Sequence, residues 1–514
     1  MIVPLVVSAG GGLLLSFAFP PLRLDFLAWV AFVPLFWAIH KDPRPVCCAL
    51  CGVAFGITFF LTDLSWVHRT LTLHGHFASV VALVMLAGMV LALSIVPGVF
   101  ALILGLFSSK GIAPALVAPF LWTALEYFRT VVFTGFPWDL AGYSQACRLT
   151  VIQVTDITGV YGVSFLLLLV NGTLWELLQA TVKRDRWPVK LAVVTGLTVM
   201  VTLLYGNVRI ADFTPEHQDK PGFVVGILQG NIPQEIKWED ASRRHTFAIY
   251  EKLGEKAVQA GAQLLVWPET SAPVLFGGGN ADWKLPGEIS LRLKVPMVVG
   301  APSTEMVEGV TSYFNSAFLV DGNMLRYRYD KMHLVPFGEY MPLTWLLPLG
   351  PGIAARDADY SPGENMTVMR VKEYPPFSVL ICYETIFPEL ARMAVRKGAR
   401  FLFNITNDGW FGDTAAPYQH LAMAGMRSVE NRVWLLRSAN TGISAAFDPT
   451  GRMVSQIPLG QEGFRAVRVT SSTPVGSLYS RFGDLFAWAC IAISVLLGLA
   501  AKVAGTKHFQ NVLN

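Results

Sequence analysis

Uncharged apolar runs fill the first part of the chain, at Ile2–Phe19, Phe26–Ile39, Val46–Leu61, Phe77–Phe107, Gly111–Leu125, Gly159–Trp175 and Leu191–Val208. One more follows a long polar block, at Leu485–Ala501. A membrane helix needs about 20 apolar residues. The second, third and fifth runs are shorter than that, whereas Phe77–Phe107 is long enough to tilt and carries Pro97, a candidate kink. Ile2–Phe19 has no basic segment before it and more apolar runs after it, so it reads as a retained helix rather than a cleaved leader. Between 222 and 469 the pattern changes. Phe223–Leu228, Leu264–Trp267, Met297–Gly300, Ser316–Val320, Ser378–Cys382 and Phe401–Ile405 read as strands. Arg244–Gln259, Pro388–Lys397 and Tyr418–Asn431 read as helices between them. Alternating strands and helices imply an α/β layered domain. Gly277–Gly279 and the Pro-rich Val335–Pro351 stretch read as loops. The expected organisation is a membrane helical domain over residues 1–210 with about seven spans, an α/β domain over 220–470, and one C-terminal span over 484–503.

Composition agrees with membrane spans. Only 15% of residues are charged, against about 25% in ordinary soluble domains. Mean hydropathy is +0.47. A net charge of +4 is too small to imply nucleic-acid binding. The basic residues instead bear on topology. With a cytoplasmic N-terminus, Lys41, Arg44, Lys110, Lys183, Arg184, Arg186 and Lys190 fall in cytoplasmic loops, and Arg23, Arg69, Arg129 and Arg148 in short outer ones. This bias follows the positive-inside rule and places the polar block outside the cytoplasm. Of six cysteines, only Cys382 lies in the polar block, so no structural disulfide is expected. The Cys48–Cys51 spacing sits in an apolar run and reads as helix packing.

Three segments put reactive side chains at strand ends or in dense polar motifs: Leu264–Glu269 (LLVWPE), Tyr329–Glu339 (YDKMHLVPFGE) and Val379–Glu384 (VLICYE). Strand ends in layered α/β domains are where side chains converge on a cleft. A carboxylate, an ammonium and a thiol suffice for acyl transfer. The thiol must lose its proton to attack, the carboxylate can take it, and the ammonium can stabilise an oxyanion. Taken singly, each has a plainer reading: Glu269 as a solvated loop residue, Lys331 as a surface lysine, Cys382 as core packing. Spacing alone does not bring the three together. His333, two residues after Lys331, reads as a structural hydrogen-bonding residue ahead of a partner for Cys382. No His or Cys cluster has metal-ligand spacing and no Gly-rich phosphate loop follows a strand, so neither a metal nor a cofactor is expected.

Glu269, Lys331 and Cys382 in these contexts resemble the Glu-Lys-Cys triad of the nitrilase superfamily. Asn404–Phe411 (NITNDGWF), Arg427–Arg432 and Arg437–Gly442 are similar to that superfamily's later strand, helix and strand. With membrane helices on both sides, and with Gly230–Trp238 (GNIPQEIKW), the chain resembles the apolipoprotein N-acyltransferase family over nearly its whole length. The resemblance implies an αββα sandwich inserted between seven spans and one. It implies Glu269 as base, Lys331 as oxyanion stabiliser, Cys382 as nucleophile, and supporting or substrate-binding roles for Trp238, Glu339, Tyr383 and Glu384. It implies a phospholipid acyl donor, phosphatidylethanolamine foremost, and a diacylglyceryl apolipoprotein as acceptor. The implied place is the bacterial inner membrane, multi-pass, with the catalytic domain periplasmic. Phe128–Tyr143, aromatic and helix-broken, reads either as an interfacial lipid-contact piece or as a plain loop. Two rivals stand beside this reading. A membrane-tethered carbon–nitrogen hydrolase would use the same triad with water as acceptor. A transporter or lipid-binding protein would carry an inactive domain, but should show interrupted helices with intramembrane charges.

Overall fold

A computed structural model describes residues 1–213, 222–234, 240–277, 284–307, 309–341, 359–371, 374–470 and 476–503. Trp238, Gly278, Gly279 and the 342–351 part of the expected Pro-rich loop lie outside them. The chain divides into two compact units, one of residues 1–68, 78–212 and 482–514, the other of 69–77 and 213–481.

The first unit is helical. Among the described residues five helices are long and apolar enough to cross a bilayer: Pro45–Asp63, Ser79–Ser108, Tyr161–Lys183, Val189–Ala211 and Leu485–Lys502. Ile2–Phe17 is a shorter apolar helix, and Pro114–Val131 carries buried Glu126 and Arg129. Pro97 stays inside the helix Ser79–Ser108. Gly52 and Gly56, one turn apart on Pro45–Asp63, pack directly on it. A Cβ on Gly52 would lie 2.1 Å from the Pro97 carbonyl, and one on Gly56 would lie 2.6 Å from Pro97 Cγ. Small residues four apart let two helix backbones approach in this way. Cys48 and Cys51 are buried on the same helix.

The run Phe26–Ile39 is not one helix. It folds as a 3-10 turn, Asp25–Trp29, and a short helix, Val33–Lys41. The cause is Pro34, whose ring would clash with the carbonyl of Val30 in a continuous helix. The freed backbone groups find a side chain. Asn171 Oδ1 accepts from Phe32 N at 2.9 Å, and its Nδ2 donates to Ala28 O at 2.9 Å. In Phe128–Tyr143, helix gives way to loop after Val131. Trp138 is buried and stacks on Phe136, whereas Phe133 is fully exposed.

The second unit holds two mixed sheets. The first has six strands, β1 (Gly222–Gln229), β2 (Leu264–Val266), β3 (Met297–Val307), β4 (Val310–Asp321), β5 (Met324–Asp330) and β11 (Gly463–Thr470), in the order β11-β1-β2-β3-β4-β5. The second has β6 (Phe377–Ile381), β7 (Phe401–Thr406), β8 (Trp434–Ala439), β9 (Ser444–Phe447) and β10 (Met453–Ile457), in the order β10-β9-β8-β7-β6. Parallel trios, β1-β2-β3 and β6-β7-β8, form the two centres. They are buried throughout β2, β6, β7 and β8, as parallel strands covered on two sides are. Helices Asp240–Gln259 and Leu285–Leu293 cover one sheet, and Pro388–Arg396 and Ala416–Asn431 the other. The sheets face each other: Ser438 Oγ on β8 donates to Leu228 O at 2.8 Å and Val266 O at 3.1 Å. The result is four layers, α, β, β and α.

Candidate active site

Glu269 follows β2, Lys331 follows β5, and Cys382 follows β6. Each therefore leaves a rigid strand at its carboxyl end. The strand expected over Ser378–Cys382 stops at Ile381. Cys382 instead opens a 3-10 turn, Cys382–Ile386, with φ of 51°. A non-glycine residue in this left-handed region costs about 1 kcal/mol or more and persists only where surroundings fix it. Thr270, beside Glu269, has φ of 46°.

Lys331 is 1% exposed and lies between two carboxylates. Its Nζ is 2.8 Å from Glu339 Oε2 and 3.5 Å from Glu269 Oε1. Burial works against the ammonium, but Glu339 and Glu269 outweigh it and hold Lys331 well above the usual lysine range. Asn315, inside β4, ties the two acids together. Its Nδ2 donates to Glu269 Oε1 and to Glu339 Oε1, each at 2.7 Å, while its carbonyl accepts from Lys331 N at 2.9 Å. Glu269 Oε2 accepts from Asn407 N at 2.9 Å, and Glu339 Oε2 from Val335 N at 2.8 Å.

The Cys382 thiol is buried among these charges. Burial pushes its pKa well above the ordinary thiol range, Glu269 pushes it further, and Lys331 pulls it partly back. A thiol so placed, under the charge of a carboxylate, can give up its proton to a base as it reacts.

Glu384 is fully buried and joins two of the strand ends. Its Oε2 accepts from Ile381 N at 2.7 Å. Its Oε1 accepts from Tyr329 Oη at 2.8 Å, Met332 N at 2.7 Å and His333 N at 3.2 Å. One carboxyl thus clamps the residue before Cys382 to the residues after Lys331. Burial pushes it up to about 7, with those donors pulling the other way. Tyr383 is half-buried, its ring packed edge-on against Phe387 at 5.2 Å. His333 lies on Phe387 with ring centroids 3.7 Å apart. Burial and the Lys331 charge bring its imidazole down to about 4, which leaves it neutral.

The structure thus brings Glu269, Lys331, Glu339, Cys382, Tyr383 and Glu384 into one neighbourhood. Sequence reasoning did not single out Asn315, Asn407 or Asn440. Asn440 accepts from Ile232 N at 3.0 Å and donates to Ile232 O at 2.8 Å and to Asn407 Oδ1 at 3.2 Å. Asn407 Nδ2 in turn donates to Gln234 Oε1 at 2.7 Å. The Gly230–Gln234 segment is thereby tied to the loop that holds Glu269. The available signal for Asn315 was an asparagine in the middle of an otherwise strand-forming run, where asparagine is depleted. Among the described residues no three His, Cys, Asp or Glu side chains gather in a way that could hold a metal ion.

Comparison with known proteins accounts for both halves of the chain. Residues 11–173 match the family model of the apolipoprotein N-acyltransferase N-terminal domain, and residues 224–473 match that of carbon-nitrogen hydrolase. An apolipoprotein N-acyltransferase of Geobacter metallireducens is 40% identical over 507 residues, 97% of this chain and 95% of that protein. One of Methylococcus capsulatus is 32% identical over 510 residues, covering 98% and 95%. One of Haemophilus ducreyi is 30% identical over 525 residues, covering 99% of each. The chain belongs to the apolipoprotein N-acyltransferase family.

Proposed function

We propose that this chain N-acylates the α-amino group of the N-terminal S-diacylglyceryl cysteine of apolipoproteins, drawing the acyl group from the sn-1 position of a phospholipid, phosphatidylethanolamine foremost. The observation that carries the reading is a buried thiol, Cys382, under the opposed charges of Glu269 and Lys331, in a chain whose described residues also include five helices long and apolar enough to cross a bilayer. Both substrates are membrane-anchored. Confinement to a bilayer raises their local concentration and orients them.

In the first half-reaction Glu269 takes the Cys382 proton as sulfur attacks the ester carbonyl. The oxyanion forms against the Lys331 ammonium and the N–H that follows Cys382. Collapse expels the lysophospholipid alkoxide, which receives the proton from Glu269, and leaves a thioester. In the second, the acceptor amine attacks the thioester, Glu269 takes its proton, and as the C–S bond breaks Glu269 returns that proton to the departing sulfur, regenerating the thiol. Lys331 keeps its proton throughout and acts as a fixed charge. Glu339 holds that charge in place, and Glu384 and Tyr383 set the Cys382 turn. Trp238 is assigned a substrate-binding role on the resemblance alone. Exclusion of water protects the thioester from hydrolysis.

The topology we propose is seven spans before and one after a periplasmic catalytic domain, in the bacterial inner membrane, with domain limits of 1–210, 220–470 and 484–503. The loop charges at Lys41, Arg44, Lys110, Lys183, Arg184, Arg186 and Lys190 support it.

The test is conversion of a fluorescent diacylglyceryl-cysteine peptide by the purified full chain in phosphatidylethanolamine vesicles. Native protein should give the N-acylated peptide, and Cys382→Ala none. Release of free fatty acid with no acylated peptide would make the chain a hydrolase.

A further inference from the structure

His420 is a fully buried titratable group that the mechanism above does not use. It lies on the helix Ala416–Asn431, with Nε2 3.1 Å from the carbonyl oxygen of Cys382. A carbonyl only accepts, so Nε2 carries hydrogen. On the other side, Nδ1 lies 3.0 Å from a guanidinium nitrogen of Arg437. Guanidinium only donates, so Nδ1 presents its lone pair. Asp408 Oδ1 is 3.2 Å from the same nitrogen and accepts from Thr406 Oγ1 at 3.0 Å, while Arg437 donates to Asp408 Oδ2 at 2.7 Å. Burial and the Arg437 charge disfavour a second proton on the ring and outweigh Asp408 and the Cys382 carbonyl, which favour one. These contacts select the neutral Nε2–H tautomer.

The Cys382 carbonyl takes a second side-chain donor, Asn404 Nδ2, at 3.3 Å. Asn404 also donates to Leu380 O at 3.1 Å and accepts from Arg437. Two donors therefore converge on the carbonyl of the residue whose φ is 51°. They fix the plane of the Cys382–Tyr383 peptide. They also draw electron density from its carbonyl, which makes the Tyr383 N–H a stronger donor.

We propose that His420 is a positioning residue for acyl transfer: through the Cys382 carbonyl it holds the Cys382–Tyr383 peptide so that the thiol and the Tyr383 N–H face one acyl carbonyl together. This rests on Cys382 being the nucleophile. Arg437, Asp408 and Asn404 hold His420 in the tautomer that can do so.

The experiment compares His420→Leu with His420→Gln in the full chain, using phosphatidylethanolamine vesicles and a diacylglyceryl-cysteine peptide. Leucine fills the space without a donor, and the glutamine amide can restore a donor near Nε2. His420→Leu should lower kcat by roughly ten- to a hundredfold with KM little changed, and His420→Gln should recover much of the loss. A Leu variant with native kcat, or Leu and Gln losing equally, overturns the proposal. Nitrogen NMR of the histidine-labelled native protein needs no variant to fold. It should show one buried imidazole as the neutral Nε2–H tautomer at neutral pH, and an imidazolium or Nδ1–H form there overturns the proposal too. A native protein without acyl transfer overturns the parent reading along with this one. Native transfer with an unaffected Leu variant overturns this one alone.

Discussion

The ammonium of Lys331 lies 2.8 Å from Oε2 of Glu339. Glu269, the proposed base, is farther away at 3.5 Å. Glu339 thus holds the ammonium on its own side, away from the oxygen that the proposed mechanism uses as base. With Glu339→Gln the ammonium should draw onto Glu269 and occupy it. We expect kcat to fall about a hundredfold with KM nearly unchanged. Thermal unfolding should report a loss of about 3 kcal/mol from the broken buried pair. Native kinetics in this variant would reduce Glu339 to a loop carboxylate.

The two charges around Cys382 act on its thiol with opposite sign. Glu269 raises its pKa and Lys331 lowers it. Glu269→Gln should therefore bring the thiol down toward its ordinary range, with more thiolate at any given alkaline pH. Lys331→Met should move it up, with less. Ultraviolet titration of the thiolate reads both midpoints, with Cys382→Ala as blank. Acyl transfer should be lost in both variants although their midpoints move apart. Shifts of the same sign in both would mean that burial changes, not these charges, dominate.

Glu384 presents two acceptor oxygens to donors alone: Tyr329 Oη and the backbone N–H groups of Ile381, Met332 and His333. In Glu384→Gln the NH2 group must face a donor in either orientation. One buried N–H is left without a partner, at a cost of about 1–3 kcal/mol. The variant should unfold at lower temperature. Alkylation of Cys382 by a small electrophile should become faster as the turn loosens. An unchanged melting temperature would show that the clamp is not needed to hold the two strand ends.

The break at Pro34 depends on Asn171, whose side chain meets Phe32 N, Ala28 O and Leu167 O. Asn171→Leu leaves two backbone groups of the break unpaired in an apolar setting, costing about 1–3 kcal/mol each. Thermal denaturation in detergent should show the loss. Asn171→Leu combined with Pro34→Ala should be milder than the single variant, because a continuous helix then satisfies its own backbone.

Apolar patterning made the parallel strand cores legible, because β2, β6 and β7 are buried on both faces and read as short continuous runs. The same rule hid β5. Met324–Asp330 reads MLRYRYD and is exposed over its first three residues, so taken singly Lys331 reads as a surface lysine when it stands just past a strand. Hydropathy alone also joined Asp25–Trp29 to Val33–Lys41, since one proline in an apolar run does not lower the average. The motifs around Glu269, Lys331 and Cys382 carried the family resemblance, in agreement with the full-length relatives. Asn315 and His420 were hidden for another reason. Their significance lies in partners 46 and 38 residues away, which spacing along the chain does not reveal.

The central claim is that Cys382 carries the acyl group. Intact mass of the purified chain after incubation with phosphatidylethanolamine, beside Cys382→Ala, addresses it most directly. The account predicts a fatty-acyl mass on the native chain alone, lost when a diacylglyceryl-cysteine peptide is added and recovered as the acylated peptide. An acyl mass on the Cys382→Ala chain, or peptide acylation by that chain, would contradict it.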